Sequence, residues 1–154
     1  MDTRDRMTSA VARAIVAAAL VSGSVMAAEP VSARERVVLT TAQGAVVLEV
    51  ARTPSERHLG LMNRVAVPSG TGMLFVYSAP RRVGMWMANT LVPLDMVFMR
   101  EGRVVRVVRG AQPCTQQPCP VLWSGSVVDQ VIELRSGQAA SLGIDVGDRI
   151  SIDV

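Results

Sequence analysis

The stretch Gly84-Met-Trp-Met-Ala-Asn-Thr-Leu-Val-Pro-Leu-Asp-Met-Val-Phe-Met99 decides the fold, because it sets one carboxylate in the middle of an apolar run. If this stretch is a strand, Leu94, Met96 and Phe98 point to one face of a sheet. Asp95, Val97 and Met99 then point to the other face. Both faces are apolar. The pattern therefore predicts a strand that is buried on both sides.

A buried carboxylate must find hydrogen-bond donors, because an unpaired one costs several kcal/mol or takes up a proton. One interpretation is structural, with Asp95 accepting from the backbone N–H groups of the Asn89–Leu94 loop. The alternative is functional, with Asp95, Asn89 and Thr90 lining a pocket and Asp95 acting as the general base of any reaction. With Trp86 and Met87 added, these five residues are the predicted ligand-binding set.

The N-terminal segment reads as a secretory signal peptide over residues 1–27. Arg4, Arg6 and Arg13 precede the apolar run Ala14–Val21, and small residues lead to a predicted cut after Ala27, with a cut after Ala28 as the alternative. The run is shorter than the ~20 residues of a spanning helix, so no membrane span is expected after cleavage, and an uncleaved anchor is the alternative. Residues 28–35 are predicted to form a loose arm and residues 36–154 a single domain. The predicted location is periplasmic or secreted.

Composition excludes one broad class of partner. The chain has 154 residues and a formal net charge of +3, but aromatic residues make up only 3% of it. Scattered arginines with so few aromatic side chains do not make a stacking platform for nucleic acid. We therefore expect no nucleic-acid partner, and expect a monomer whose ligand or protein partner lies in the cell envelope.

The periodicity predicts an α+β, mainly β fold, a barrel-like or strongly coiled mixed sheet of roughly eight short strands with two short helices. Thr53-Pro54-Ser55-Glu56 carries the signals of a helix start, and that helix should reach about Leu61 with Leu59 and Met62 on its inner face. A second helix is predicted over 136–142, closed by Gly143. The predicted strands cover residues 36–41, 45–51, 72–77, 83–88, 94–100, 103–109, 127–135 and 149–154, with a turn at Ser78–Arg82.

Several short motifs follow one another along the chain. They are Glu56-Arg57, Gly60-Leu61-Met62 with Arg64, Gly72-Met-Leu-Phe-Val-Tyr77, Trp86-Met87, Asn89-Thr90, Pro93-Leu94-Asp95, Pro113-Cys114-Thr115, Pro118-Cys119-Pro120, Gly143-Ile144 and Gly147-Asp148. In this order they resemble the family called domain of unknown function 192, and the resemblance covers residues 37–154, nearly all of the chain after the leader. That family is uncharacterised, so the resemblance implies a fold and a site region and transfers no activity.

Two cysteines stand in a proline-rich loop. Cys114 and Cys119 leave no odd cysteine, and in an exported protein they favour a structural disulfide. A redox-active pair is the weaker interpretation, since the spacing is not C-x-x-C and no helix start lies beside it to lower a thiol pKa.

No cofactor or metal is predicted. His58 is the single histidine and is expected to face solvent, so a Ser/His/Asp triad or a zinc site lacks its parts. Met85, Met87, Met96 and Met99 suit copper(I) chemically, but methionines also fill gaps in cores, which is the simpler explanation.

These observations predict an exported accessory domain of the cell envelope that binds a ligand or partner and is not an enzyme. Its groove should lie between the Trp86–Asp95 segment and the Cys114–Cys119 loop. The alternative is a hydrolase or lyase acting on an envelope saccharide with Asp95 as general base.

Overall fold

The computed structural model describes residues 34–153 of the chain. The predicted signal peptide and residues 28–33 of the predicted arm lie outside this range. Arg34 and Glu35, the last two residues of that arm, form ion pairs with Glu49 and Arg52 on β2 and just after it. The elements are β1 (Arg36–Thr41), β2 (Gly44–Ala51), α1 (Pro54–Leu59), β3 (Thr71–Met85), β4 (Leu94–Arg100), β5 (Arg103–Ala111), β6 (Leu122–Arg135), α2 (Gln138–Ser141) and β7 (Ser151–Asp153).

The strands form one mixed sheet in the order β5-β4-β6-β3-β2-β1-β7. Only the β2–β3 pair is parallel, and its crossover contains α1. The sheet coils until its two edges meet: the backbone N–H of Val104 on β5 donates to the Asp148 carbonyl, and that of Ile150 donates to the Gly102 carbonyl. The predicted barrel-like, mainly β architecture is confirmed.

Residues 34–153 form seven strands, against the roughly eight that the sequence predicts. The two segments predicted as 72–77 and 83–88 are one strand, β3, and Ser78–Arg82 is not a turn between strands. Both ends of β3 pair with β6, and a register shift between Val76 and Arg81 lets the chain around Pro80 leave the ladder without ending the strand. Proline is tolerated there because a bulge needs no ladder N–H from it.

Local turn and cap signals operate as the sequence predicts. Thr53 and Glu56 form the capping box of α1, which stabilises a helix start by about 1 kcal/mol. Glu101 and Gly102 both have positive φ, so they make the tight primed turn that joins β4 to β5. The predicted inner face of α1 is wrong at Leu59, which is exposed. Met62 is half-buried, and Leu61, also beyond the end of the helix, is buried.

The sheet buries a core on each of its faces. The first core includes Leu39, Leu48, Val97, Ile132 and Leu134, and is closed by α2 and Ile144. The second core includes Met73, Phe75, Met96, Phe98 and Val131. The alternation predicted for β4 is therefore confirmed, since Met96 and Phe98 belong to one core and Val97 to the other.

Candidate functional site

A cleft of about 490 Å³ opens over the second-core face of the sheet. One wall is α1 with the loop that follows it, and the other is the end of β3 with the start of β6. The volume falls within the ~300–1,000 Å³ of typical small-ligand sites. Residues that line it include Arg57, His58, Tyr77, Arg81, Trp86, Trp123 and Glu133.

Among residues 34–153, Glu133 is the only carboxylic acid that lines this cleft. It is 4% exposed, and its partners on the flanking strands are Met73 on β3 and Met96 on β4. Burial raises the pKa of Glu133 to about 8, and no hydrogen bond or opposite charge from the described residues offsets that effect. The side chain is therefore uncharged at neutral pH, and it can donate as well as accept a hydrogen bond.

The α1 wall carries a fixed positive charge. The Arg57 guanidinium donates to the backbone carbonyls of Arg52 and Val76, and it lies 4.9 Å from the centroid of the Tyr77 ring. Burial raises the pKa of the Tyr77 hydroxyl, which donates to the Met85 sulfur at 3.9 Å. Arg57 is thus held in place from two sides before any ligand arrives.

The loop after α1 is tied down by a bidentate ion pair. Arg64 donates through both Nη atoms to the two carboxylate oxygens of Glu49, each at 2.7 Å. This pair holds the pKa of Glu49 below its usual range, with Arg64 as the main cause. It anchors to β2 the loop whose residues Gly60, Leu61 and Met62 line the cleft.

The predicted ligand-binding residues separate in the structure. Trp86 and Thr90 line the cleft, and the Trp86 ring meets the His58 ring edge-on with centroids 6.1 Å apart. Met87 instead lines a second pocket of about 280 Å³ beside the cysteine loop. Asn89 is exposed and lines neither pocket, although its backbone carbonyl accepts from the Asn63 N–H.

Asp95 lies on the opposite face of the sheet from the cleft. It is fully buried, and its two oxygens accept from the backbone N–H groups of Gly110 at 2.8 Å and Ala139 at 3.0 Å. The expectation that its donors come from the Asn89–Leu94 loop is corrected. The donors belong to the end of β5 and the first turn of α2, because Asp95 points into the first core with Val97.

With this geometry in hand, the chain can be compared with known proteins. The family model for domain of unknown function 192, described as an uncharacterized ACR, matches residues 37–152. The chain belongs to this family. No curated protein matches the sequence.

Two solved structures resemble this DUF192 domain in sequence and fold. One, from Sinorhizobium meliloti 1021 and proposed to be a transcription regulator, is 38% identical with a TM-score of 0.68, over 76% of this chain and 92% of its own. The other, a protein of unknown function from Novosphingobium aromaticivorans DSM 12444, is 34% identical with a TM-score of 0.68, over 81% of this chain and 91% of its own. Neither supplies an activity to transfer.

The disulfide of this DUF192 domain is confirmed. Cys114 and Cys119 are bonded, with their Cα atoms 5.7 Å apart. The backbone N–H of Cys114 donates to the Met87 carbonyl, which attaches the loop to the segment after β3. The pocket of about 280 Å³, lined by Met87 and by residues of this loop, lies where the groove between the loop and the Trp86–Asp95 segment is predicted. It shares no lining residue with the cleft that holds Glu133.

Sequence reasoning missed Glu133, His58 and Trp123 as cleft residues of the DUF192 domain. Glu133 stands in the apolar run Val131-Ile-Glu-Leu134, the same signal that drew attention to Asp95. His58 is exposed, as expected, and it lines the cleft. Nothing local marks Trp123, because its role depends on the pairing of β6 with the end of β3.

The methionines divide between the two cores. Met85, Met87 and Met96 belong to the second core and Met99 to the first.

Within residues 34–153, no three His, Cys, Asp or Glu side chains are grouped as metal ligands. In the same range, no helix combines the length and apolar character needed to span a bilayer.

Proposed function

We propose that this DUF192 domain is an exported binding module of the cell envelope and that a small ligand occupies the cleft over Glu133. The observation that carries the proposal is an uncharged, unpaired carboxyl at the base of an aromatic-rimmed cleft. The carboxyl has no hydrogen-bond partner among residues 34–153, and Glu133 lines the cleft. A ligand that donates to or accepts from it supplies that partner, so the site favours an occupant with a polar group at this point.

Export rests on the N-terminal sequence and on the disulfide. The basic, apolar and small-residue regions of residues 1–27 follow the order of a signal peptide. Disulfides persist mainly in oxidising compartments, so the Cys114–Cys119 bond is compatible with the periplasm or the cell exterior.

Binding can be followed without a label. The chain has two tryptophans, and both Trp86 and Trp123 line the cleft. We would screen the purified full chain against saccharides, muropeptides, lipids and soft metal ions by thermal shift, and confirm each hit by tryptophan emission. A hit should change the emission and weaken in Glu133→Ala. A hit unaffected by Glu133→Ala would place the ligand elsewhere.

An enzymatic role is the second candidate, and Glu133 is the observation that favours it. A carboxyl with a pKa of about 8 in a cleft is poised for general acid–base chemistry near neutral pH. A hydrolase or lyase acting on an envelope saccharide would then use Glu133. Asp95 does not fit the same role, because a general base must reach its substrate and Asp95 is fully buried on the other face.

The two candidates differ in what Glu133→Gln does. An enzyme should keep its ligand affinity in this variant and lose turnover. A binding module should show no turnover of any bound saccharide, in the wild type or in the variant. Incubation of each hit with the protein, followed by mass spectrometry of the ligand, separates these outcomes.

A further inference from the structure

The cleft carries an excess of positive charge. Arg81 and Arg82 line it, and neither pairs with a carboxylate of the described residues, although five other arginines of residues 34–153 do. Arg57 adds a third guanidinium, whose bonds go to backbone carbonyls. Since Glu133 is uncharged at neutral pH, no negative charge in the cleft lining balances these groups. An anionic group on a bound ligand would balance their positive charge.

The second feature of the cleft is the exposed surface of two tryptophan side chains. Trp86 and Trp123 are 46% and 56% exposed, unusually open for such large apolar side chains. Trp123 pairs across the sheet with Gly84, and a Cβ placed on Gly84 would stand 3.2 Å from the Trp123 ring. The absence of that atom lets the indole lie close against the β3 backbone. The wall Trp123–Gly84–Trp86 therefore presents ring surface to the cleft.

Building on the proposed function, we propose that the ligand is an acidic saccharide, a sugar that carries a carboxylate. One apolar face of the sugar ring packs on the wall Trp123–Gly84–Trp86, as C–H groups do on aromatic faces. The carboxylate accepts from Arg81 and Arg82, whose guanidinium groups suit its geometry. A hydroxyl of the sugar bonds with Glu133, which can accept or donate while it is protonated.

The test compares three probes on the full chain at pH 7 and low salt, by calorimetry. The probes are trigalacturonic acid, the neutral maltotriose of equal length, and inorganic phosphate. We expect the acidic trisaccharide to bind at least about tenfold more tightly than either of the others, because charge-assisted hydrogen bonds are the stronger kind. Equal binding of the two trisaccharides, or of phosphate alone, would overturn the proposal.

Variants assign the binding to the two features. Arg81→Gln with Arg82→Gln should remove most of the preference for the acidic trisaccharide, and Trp123→Ala should weaken both trisaccharides. Arg36→Gln, on the exposed face of β1 and outside the cleft lining, is the matched control and should bind as the wild type. Unchanged affinity in the arginine double variant would contradict the proposal. The wider screen separates this proposal from the proposed function. If trigalacturonic acid does not bind but a neutral compound does, and its binding depends on Glu133, then the ligand is not an acidic saccharide and the proposed function stands.

Discussion

At the scale of single residues, two carboxylic acids in apolar runs have opposite fates. The Asp95 carboxylate accepts hydrogen bonds from two backbone N–H groups, one on β5 and one on α2. Leu134 on β6 is the residue paired with Asp95, and Glu133 is its neighbour in the chain. Glu133 therefore points to the other face of the sheet, where it is paired with Met96 and lines the cleft. From the sequence, burial is predicted for Asp95 and not for Glu133, which stands in a similar apolar run. The sequence does not predict which of the two has donors, because those donors come from distant segments.

Glu133→Gln should change the pH dependence of stability. The folded pKa of about 8 lies above the ordinary 4.5, so the folded state holds a proton that the unfolded state releases between these values. The contribution of Glu133 to stability is therefore fully present below pH 4.5 and is lost as pH rises toward 8, by at most about 1.4 kcal/mol per pH unit. Gln cannot ionise, so the variant should lack this slope.

Urea unfolding of both proteins at pH 5 and pH 8 measures the effect. Tyr77 and Arg81 of β3 and Arg57 and His58 of α1 also line the cleft, and all are present in both proteins. The stability of Glu133→Gln relative to the wild type should rise between the two pH values. Glu101→Gln, an exposed replacement, is the control. An equal difference at both pH values would contradict an uncharged Glu133.

Asp95→Asn should destabilise the fold and leave the cleft intact. The amide group replaces one acceptor oxygen with a donor, so either Gly110 or Ala139 loses its partner and faces another N–H. A buried unsatisfied donor costs about 1–3 kcal/mol. Urea unfolding should show this loss, while Asp145→Asn, at an exposed position, should be within about 0.5 kcal/mol of the wild type. A stable variant that has lost ligand binding would instead support a direct role for Asp95 in the site.

At the scale of elements, β3 shows where sequence patterns stop being informative. Pro80 between two predicted strands indicates a turn, and the chain does leave the ladder there. The sequence pattern does not show that β6 is long enough to pair with β3 on both sides of the interruption. Tyr77 and Arg81 on β3 and Trp86 just after it therefore all line the cleft.

Gly84→Val should disturb the aromatic wall more than the fold. A Cβ at this position would stand 2.6 Å from a methyl group of Val121 and 3.2 Å from the Trp123 ring, so both side chains must move. Both are exposed, so a stability loss of about 1–3 kcal/mol is the upper range expected. Tryptophan emission should shift and ligand affinity should fall. Ala45→Ser, exposed on β2, is the control, and an unchanged emission spectrum would contradict the packing of Trp123 on Gly84.

At the scale of the whole molecule, the mainly β class, the hairpins, the helix starts and the disulfide follow from local signals. The capping box at Thr53 and the positive φ of Glu101 and Gly102 need only neighbours in sequence. The cleft does not follow in this way. Its groups come from α1, β3 and β6, which the parallel crossover and the coiling of the sheet bring together. Local periodicity assigns the faces of each strand but not what covers them.

The proposal of export makes a prediction for the whole chain. Expressed in a Gram-negative host, the protein should be recovered from the periplasmic fraction with its N-terminus at Ala28, because residues 1–27 match a cleavable signal. Intact mass and subcellular fractionation check this. A full-length product in the cytoplasm, with Cys114 and Cys119 reactive toward an alkylating reagent, would contradict export.

The central claim is that the cleft holds an uncharged carboxyl at its base. Carbon-13 NMR of the Glu side-chain carboxyl groups, titrated from pH 4 to pH 9 and assigned with Glu133→Gln, tests it directly. The Glu133 signal should titrate near pH 8 in the free protein, and its chemical shift should respond when a cleft ligand is added. A Glu133 signal that titrates near 4.5 would mean that the carboxyl is solvated and charged, and the site described here would not exist in that form.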